Sequence, residues 1–356
     1  MIRFTWLQAR AQTAVALAAL AAAAILAAVT GPRLLHLYAV AAACPAGADC
    51  GAATTAFLSS YHWLQVAQPT VLLALPALLG AFWGAPLVAR ELETGTFRLA
   101  WTQSVTRQRW LAVKLALTGV AAMALTGLLS LIVTWWSSPL DRVNLSRLSP
   151  GMFGERGLAP VGYTAFAFAL GVAAGALIRR TVPAMAVTLA GLTGARLAVT
   201  YGVRPRLLTP LHATGALVLP AASGPAPAPG ADAAGPGGWI LSDHVINAAG
   251  RVIGSNGGIG PNGEIGFATS HGITRLQGVG ACPNAFPAVS DRASQPPPAF
   301  AAAAQECVSR LGLREAVTYQ PLSRYWQPQW YEALIFSAAA LALAGLCFWR
   351  VHRSLT

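Results

Sequence analysis

Six apolar runs, Thr13 to Val29, Pro69 to Ala89, Leu111 to Trp136, Leu158 to Ile178, Thr181 to Val203 and Tyr331 to Trp349, are almost free of charge. A helix needs about 20 such residues to cross the hydrocarbon core of a bilayer, so each run is a candidate span, the first barely long enough. In lipid a segment must satisfy its own backbone polar groups, which makes these runs helical. Composition agrees: with 55% hydrophobic and 10% charged residues among 356, the chain is too apolar for an ordinary soluble protein. A cleaved signal peptide is the rival reading of the first run. That run ends well before Cys44 and further spans follow, which favours a span.

The distribution of cations sets the expected topology. Arg3, Arg10, Arg90, Arg98, Arg107, Arg109, Lys114, Arg179, Arg180, Arg350 and Arg353 fall on one side of the six runs. The short loops of the other side hold only Arg33, Arg142, Arg147 and Arg156. Basic loops stay in the cytoplasm, so both termini are expected there. The net charge of +12 does not point to nucleic acid, because no basic stripe interleaved with aromatics occurs. Membrane lipid, through anionic headgroups, is the expected partner for this charge.

Local features refine the spans. Met1 to Gln12 carries Arg3 and Arg10 beside Phe4, Trp6 and Leu7, a pattern suited to a short helix lying at the inner interface. Pro76 and Pro86 mark bends in the second run, more passive than gating. Gly80 with Gly84, and Gly171 with Gly175, give two GxxxG faces for close helix packing. Arg196 is the one ionisable residue at depth in the fifth run. It lies near the outer end, where a long side chain can snorkel to the headgroups, and it is also a candidate for a substrate path.

Between the second and third runs lies Arg90 to Lys114, RELETGTFRLAWTQSVTRQRWLAVK, a compact polar and basic loop. It opens on Glu91 and Glu93, turns at Thr94-Gly95-Thr96, and closes on Arg107, Arg109 and Lys114. The tract from Arg98 to Arg107 has the mixed polarity of a short surface helix. Lys114 is the single lysine of the chain and sits between Val113 and Leu115. A phosphate-binding P-loop needs Gly-Lys-Ser/Thr, so no Walker-type ATP site is encoded.

This loop resembles the first cytoplasmic loop of ABC-2 type transporter permeases, where an acidic-x-acidic-x-Gly-Thr element precedes a Ser-Val-x-Arg-x-x-Trp-x-x-x-Lys element. The resemblance implies a coupling helix that docks on a separately encoded ATPase. It assigns Glu91, Glu93, Gly95, Thr96, Arg98, Gln103, Ser104, Arg107, Arg109, Trp110 and Lys114 to that element. It also implies a second permease subunit, a bacterial plasma membrane, and ATP and Mg held by the partner, with no cofactor bound by this chain. The likeness covers the loop well, the N-terminus and six-helix layout loosely, and the segment after Tyr201 hardly at all.

From Arg204 to Gln329 the character changes. Pro, Gly and Ala fill a linker over 219–238, and the tract to His271 alternates Val, Ile and Gly like short strands. Ala299 to Val317 suits an amphipathic helix. Cys44 with Cys50, closing CPAGADC, and Cys282 with Cys307 are candidate disulfides in an oxidising exterior, which leaves Cys347 over. Gly258 to Gly263 formally matches GxGxxG, but Pro261 interrupts it and no helix follows. Ser242, Asp243, His244 and His271 read as solvated loop residues, because no HExxH or GxSxG accompanies them. No catalytic residue and no metal site is expected.

The expected fold is an all-α polytopic membrane protein of about six transmembrane helices, with an irregular or mixed extracellular domain between the fifth and sixth. Residues 1–203 would hold helices one to five and the coupling loop 90–114, residues 204–329 the extracellular domain, and residues 330–356 the last helix and tail. The expected function is the permease subunit of an exporter. A membrane-anchored sensor whose external domain recognises a ligand is the alternative.

Overall fold

A computed structural model describes residues 2–43, 56–94, 107–143, 148, 150–217, 238–259, 265–269, 272–276, 305–306 and 308–354. The chain divides into two compact units: Met1–Val143 with Ser149–Leu207 and Trp326–Thr356, and Asn144–Leu148 with Leu208–Tyr325. The first is helical and the second is built on a sheet.

Among the described residues, six helices are long and apolar enough to cross a membrane. They are α1 (Ile2–Ala42), α2 (His62–Thr94), α3 (Arg107–Val143), α4 (Ala159–Ile178), α5 (Thr181–Arg206) and α6 (Trp326–Ser354). Their number agrees with the sequence, but most of them run longer than their apolar cores. Residues 2–12 form no separate interfacial helix; they are the first turns of α1. That helix continues through Pro32 to Ala42, where a loop was expected. Pro32 removes one donor, yet Leu34 to Ala42 is apolar apart from His36, and Leu34 at its start is fully buried beside Phe57 and Trp136. Trp136 donates from Nε1 to Thr30 Oγ1 at 2.8 Å, fastening α1 to α3.

The most buried helix is α4, which packs against α2, α3, α5 and α6. Its Gly171 meets Gly80 and Gly84 of α2 while Gly175 meets Ala85 and Ala89, so the two GxxxG faces read from the sequence lie in one interface. A Cβ at Gly80 would stand 2.6 Å from the Ala167 carbonyl oxygen, and one at Gly175 would stand 2.6 Å from that of Ala85. At Gly171 it would run into the Gly80 carbonyl itself. Backbone therefore lies on backbone, which only glycine allows. Gly80–Gly84 is wound as a π turn, the form in which an α-helix takes up an extra residue.

The second unit carries six antiparallel strands: β1 (Leu211–Ala216), β2 (Trp239–Ile246), β3 (Val252–Ile259), β4 (Ile265–Thr269), β5 (Gly272–Leu276) and β6 (Arg314–Gln320), in the order β1-β6-β2-β3-β4-β5. The expected helix over 299–317 is corrected here. Among its described residues only a short helical piece precedes β6, which lies between β1 and β2. In REAVTYQ, Glu315, Val317 and Tyr319 alternate with Arg314, Ala316 and Thr318, a period of two that puts Glu315 and Val317 on the buried side.

The glycine contact gives a direct test. Gly171→Ala should lower the stability of the detergent-solubilised protein by about 1–3 kcal/mol, the usual effect of overpacking. Gly194→Ala, where a Cβ would meet nothing within 4 Å, should leave it unchanged. Thermal unfolding of the two variants side by side reads the difference.

Candidate functional site

At one end of the bundle the residues singled out in the sequence converge. Gly95, Thr96, Arg98, Gln103 and Ser104 lie outside the described residues, as does the side chain of Arg107, whose backbone opens α3. The flanks of the loop are well defined. Lys114 of α3 is buried, with its ammonium in a salt bridge to Glu91 at the end of α2. The same Nζ lies 4.7 Å from the centre of the buried Trp110 ring. Glu93, two residues further, accepts from the hydroxyl of Thr181 at 2.8 Å and from its backbone N–H at 3.3 Å. A carboxylate thus caps the start of α5, where the helix presents unpaired donors and a positive dipole end.

The link from α4 to α5 is equally tight. Only Arg179 and Arg180 separate the helices, and Arg179 takes a left-handed φ of 59° while its N–H caps the Gly175 carbonyl at 3.0 Å. Arg90, Arg109, Arg179 and Arg180 are exposed at this end. Beneath them Val88, Trp110, Leu111, Phe168, Val172, Ala173 and Cys347 form one apolar cluster joining α2, α3, α4 and α6. Glu91, Trp110 and Lys114 therefore sit inside the bundle as anchors of the loop, and Arg109 sits on its surface.

The opposite end holds a second polar group that sequence reading missed except for Arg196. Glu332 of α6 is fully buried. It accepts two bonds from Arg204, at 2.5 and 3.2 Å, and one from the Tyr163 hydroxyl. Arg196 lies 4.6 Å over the Tyr163 ring and donates to the Leu73 carbonyl of α2 at 2.9 Å. It is turned into the bundle rather than out along it. A π turn, Ala198–Val203, separates Arg196 from Arg204. Because a π turn winds less per residue, it brings Arg204 back toward the face that carries Arg196. Glu332 is the only carboxylate in the last apolar run. A charge buried in a span requires a partner, and that rule applied to Glu332 would have pointed to this group.

The turn before α4 closes over it. Gln329 accepts from the N–H groups of Leu158 and Ala159 at 3.0 and 2.8 Å and donates to the Phe153 carbonyl at 3.0 Å. Gly157, at φ 77°, leaves no room there for a side chain, since a Cβ would meet Gln329 at 2.9 Å. Arg156 pairs with Asp141 of α3 at 2.5 Å. Burial pushes the Glu155 carboxyl up to about 7, against the opposing pull of Arg156 and Arg196.

Within the sheet unit, Ser242, Asp243 and His244 are strand residues of β2, not loop residues. Burial, with a hydrogen bond to the Glu315 carboxyl on β6, pushes Asp243 up to about 7. His271 and the four candidate disulfide cysteines lie outside the described residues, and Cys347 is buried and free. Among the described residues no group of three metal-ligating side chains occurs.

A family model described as ABC-2 membrane transporter related matches residues 17–204, more than half of the chain. The chain belongs to this family. The match spans most of α1 and the described length of α2 to α4, and ends near the close of α5. It therefore takes in both flanks of the loop, together with Tyr163, Arg196 and Arg204. Membership makes the chain a multi-pass transporter permease. No curated protein and no solved structure matches it.

Removing one member of the buried pair should cost more than removing both. Lys114→Met strands the Glu91 carboxylate and should destabilise the ABC-2 permease by about 3 kcal/mol, whereas Glu91→Gln/Lys114→Met should recover most of that loss. Unfolding midpoints in one detergent give the comparison.

Proposed function

We propose that the chain is the transmembrane subunit of an ABC-2 type exporter, driven by ATP that a separately encoded subunit binds with Mg and hydrolyses. One observation carries the reading: the two flanks of the basic loop are bonded to each other through Glu91 and Lys114 of α3, and the α2 flank is bonded to α5 through Glu93 and Thr181. A partner pressing on residues 95–106 acts on α2, α3 and α5 together.

The chain itself binds no nucleotide in this reading, in keeping with a single lysine outside any P-loop context. Its loop end faces the cytoplasm, following the excess of cations there. Two permease subunits, identical or different, enclose a path whose access alternates as the helices tilt. Arg196 lies near that path rather than in the headgroup region. The substrate class is left open, because lipid-facing and path-facing surfaces are both apolar.

Purification from mild detergent tests the reading. An ATPase should co-purify with the wild-type chain and be lost with Glu91→Ala/Arg107→Ala. A Glu93→Gln variant that stays monodisperse should retain binding while losing stimulation of ATP hydrolysis. Absence of any ATPase under conditions that preserve other membrane complexes would overturn the exporter assignment and favour the membrane-anchored sensor.

A further inference from the structure

The turn between α3 and α4 holds a group for which the proposed transport reading has no use. Glu155 is buried, and its Oε2 has no hydrogen-bond partner. The cations near it bond to other groups, although the buried Nε of Arg156 has no partner. Arg156, from the same turn, is paired with Asp141 of α3. Arg196 of α5 is held by the Leu73 carbonyl and the Tyr163 ring. Gly154 beside it lies so close to Arg196 that a Cβ would stand 2.8 Å from Nη2. Behind Arg196 stand Tyr163 of α4, Arg204 of α5 and Glu332 of α6.

An orphaned oxygen in such a place has a definite consequence. A neutral carboxyl group tolerates a dry site, whereas a carboxylate lacking partners for one oxygen does not. The turn is held down by bonds that can part without disturbing a helix: the Gln329 contacts to Phe153, Leu158 and Ala159, and the Ser130 hydroxyl to the Gly157 carbonyl at 3.1 Å.

We propose that Glu155 is a proton-binding latch: protonated, it lets the turn at residues 154–158 seat on Arg196, and ionised, it releases that turn from the end of the bundle. The sign follows from linkage. The seated carboxyl keeps its proton up to about 7, above the ordinary value of 4.5. Seating is therefore favoured most below 4.5, weakens as pH rises from there to about 7, and does not change further above 7. On release the seat over Arg196 opens while the Arg204–Glu332 pair stays bonded. The latch stands on the geometry of this end alone and does not depend on the exporter reading.

Hydrogen exchange of the full-length protein in detergent or nanodiscs, read by mass spectrometry between pH 4.5 and 8 and corrected for intrinsic exchange rates, tests it. The Leu158 and Ala159 amides report, because both are bonded to Gln329. Their protection in the wild type should fall by up to about tenfold for each pH unit between about 4.5 and 7 and level off above 7. In Glu155→Gln it should remain high throughout, with the α6 amides as an internal reference in both. Wild-type protection that does not vary with pH overturns the latch, and so does the same pH dependence in Glu155→Gln. The wild-type series alone decides the matter if the variant does not fold.

Discussion

The structure rests on the contact of α2 with α4 through Gly80, Gly84, Gly171 and Gly175. In a membrane, lipid tails compete with apolar side chains on equal terms, so helices adhere where backbones can come close. The two glycine faces bring carbonyl oxygens of one helix to the Cα atoms of the other. Every other helix of the bundle is placed relative to this pair: α3, α5 and α6 pack on α4, and α1 reaches the bundle through α3. Phe168, one turn before Gly171, supplies the side chain against which Gly119 of α3 closes.

Around this apolar centre the charges are confined to two ends. At one end, Glu91 and Glu93 bind the close of α2 to the starts of α3 and α5. At the other, Leu73, Arg196, Tyr163, Glu332 and Arg204 form a continuous chain through α2, α5, α4 and α6. Charges buried in low dielectric are costly unless paired, so each cluster strongly favours one register of its helices.

The sequence showed the six helices, the two glycine faces and the family, because each rests on a local pattern: an apolar run, a spacing of four, an ordered loop motif. It misplaced the helix ends, because Pro32 and the Ser137 to Val143 stretch look like terminators in isolation but are held helical by neighbours such as Trp136 and Leu34. It carried an expected helix into the first residues of β6, since alanines and charges precede a strand whose alternation spans only Arg314 to Gln320. The polar end formed by Glu332 and Arg204 escaped notice because its members lie more than a hundred residues apart. Only Arg196 was visible, and its inward direction depends on a proline-bearing helix elsewhere in the chain.

The two π turns give the bundle a mechanical character. Helix α2 is joined to α5 near Leu73 and again at Glu93, and each helix carries its π turn between or beside those ties, at Gly80–Gly84 and Ala198–Val203. A uniform α-helix fixed at two points is a stiff rod that can only translate. A rod with a wider, less regular turn in its span can also twist, because the extra residue can migrate along the helix by exchanging one carbonyl partner for the next. The ties at Leu73 and Glu93 therefore bracket, within α2, the irregular turn that also carries the glycine crossing.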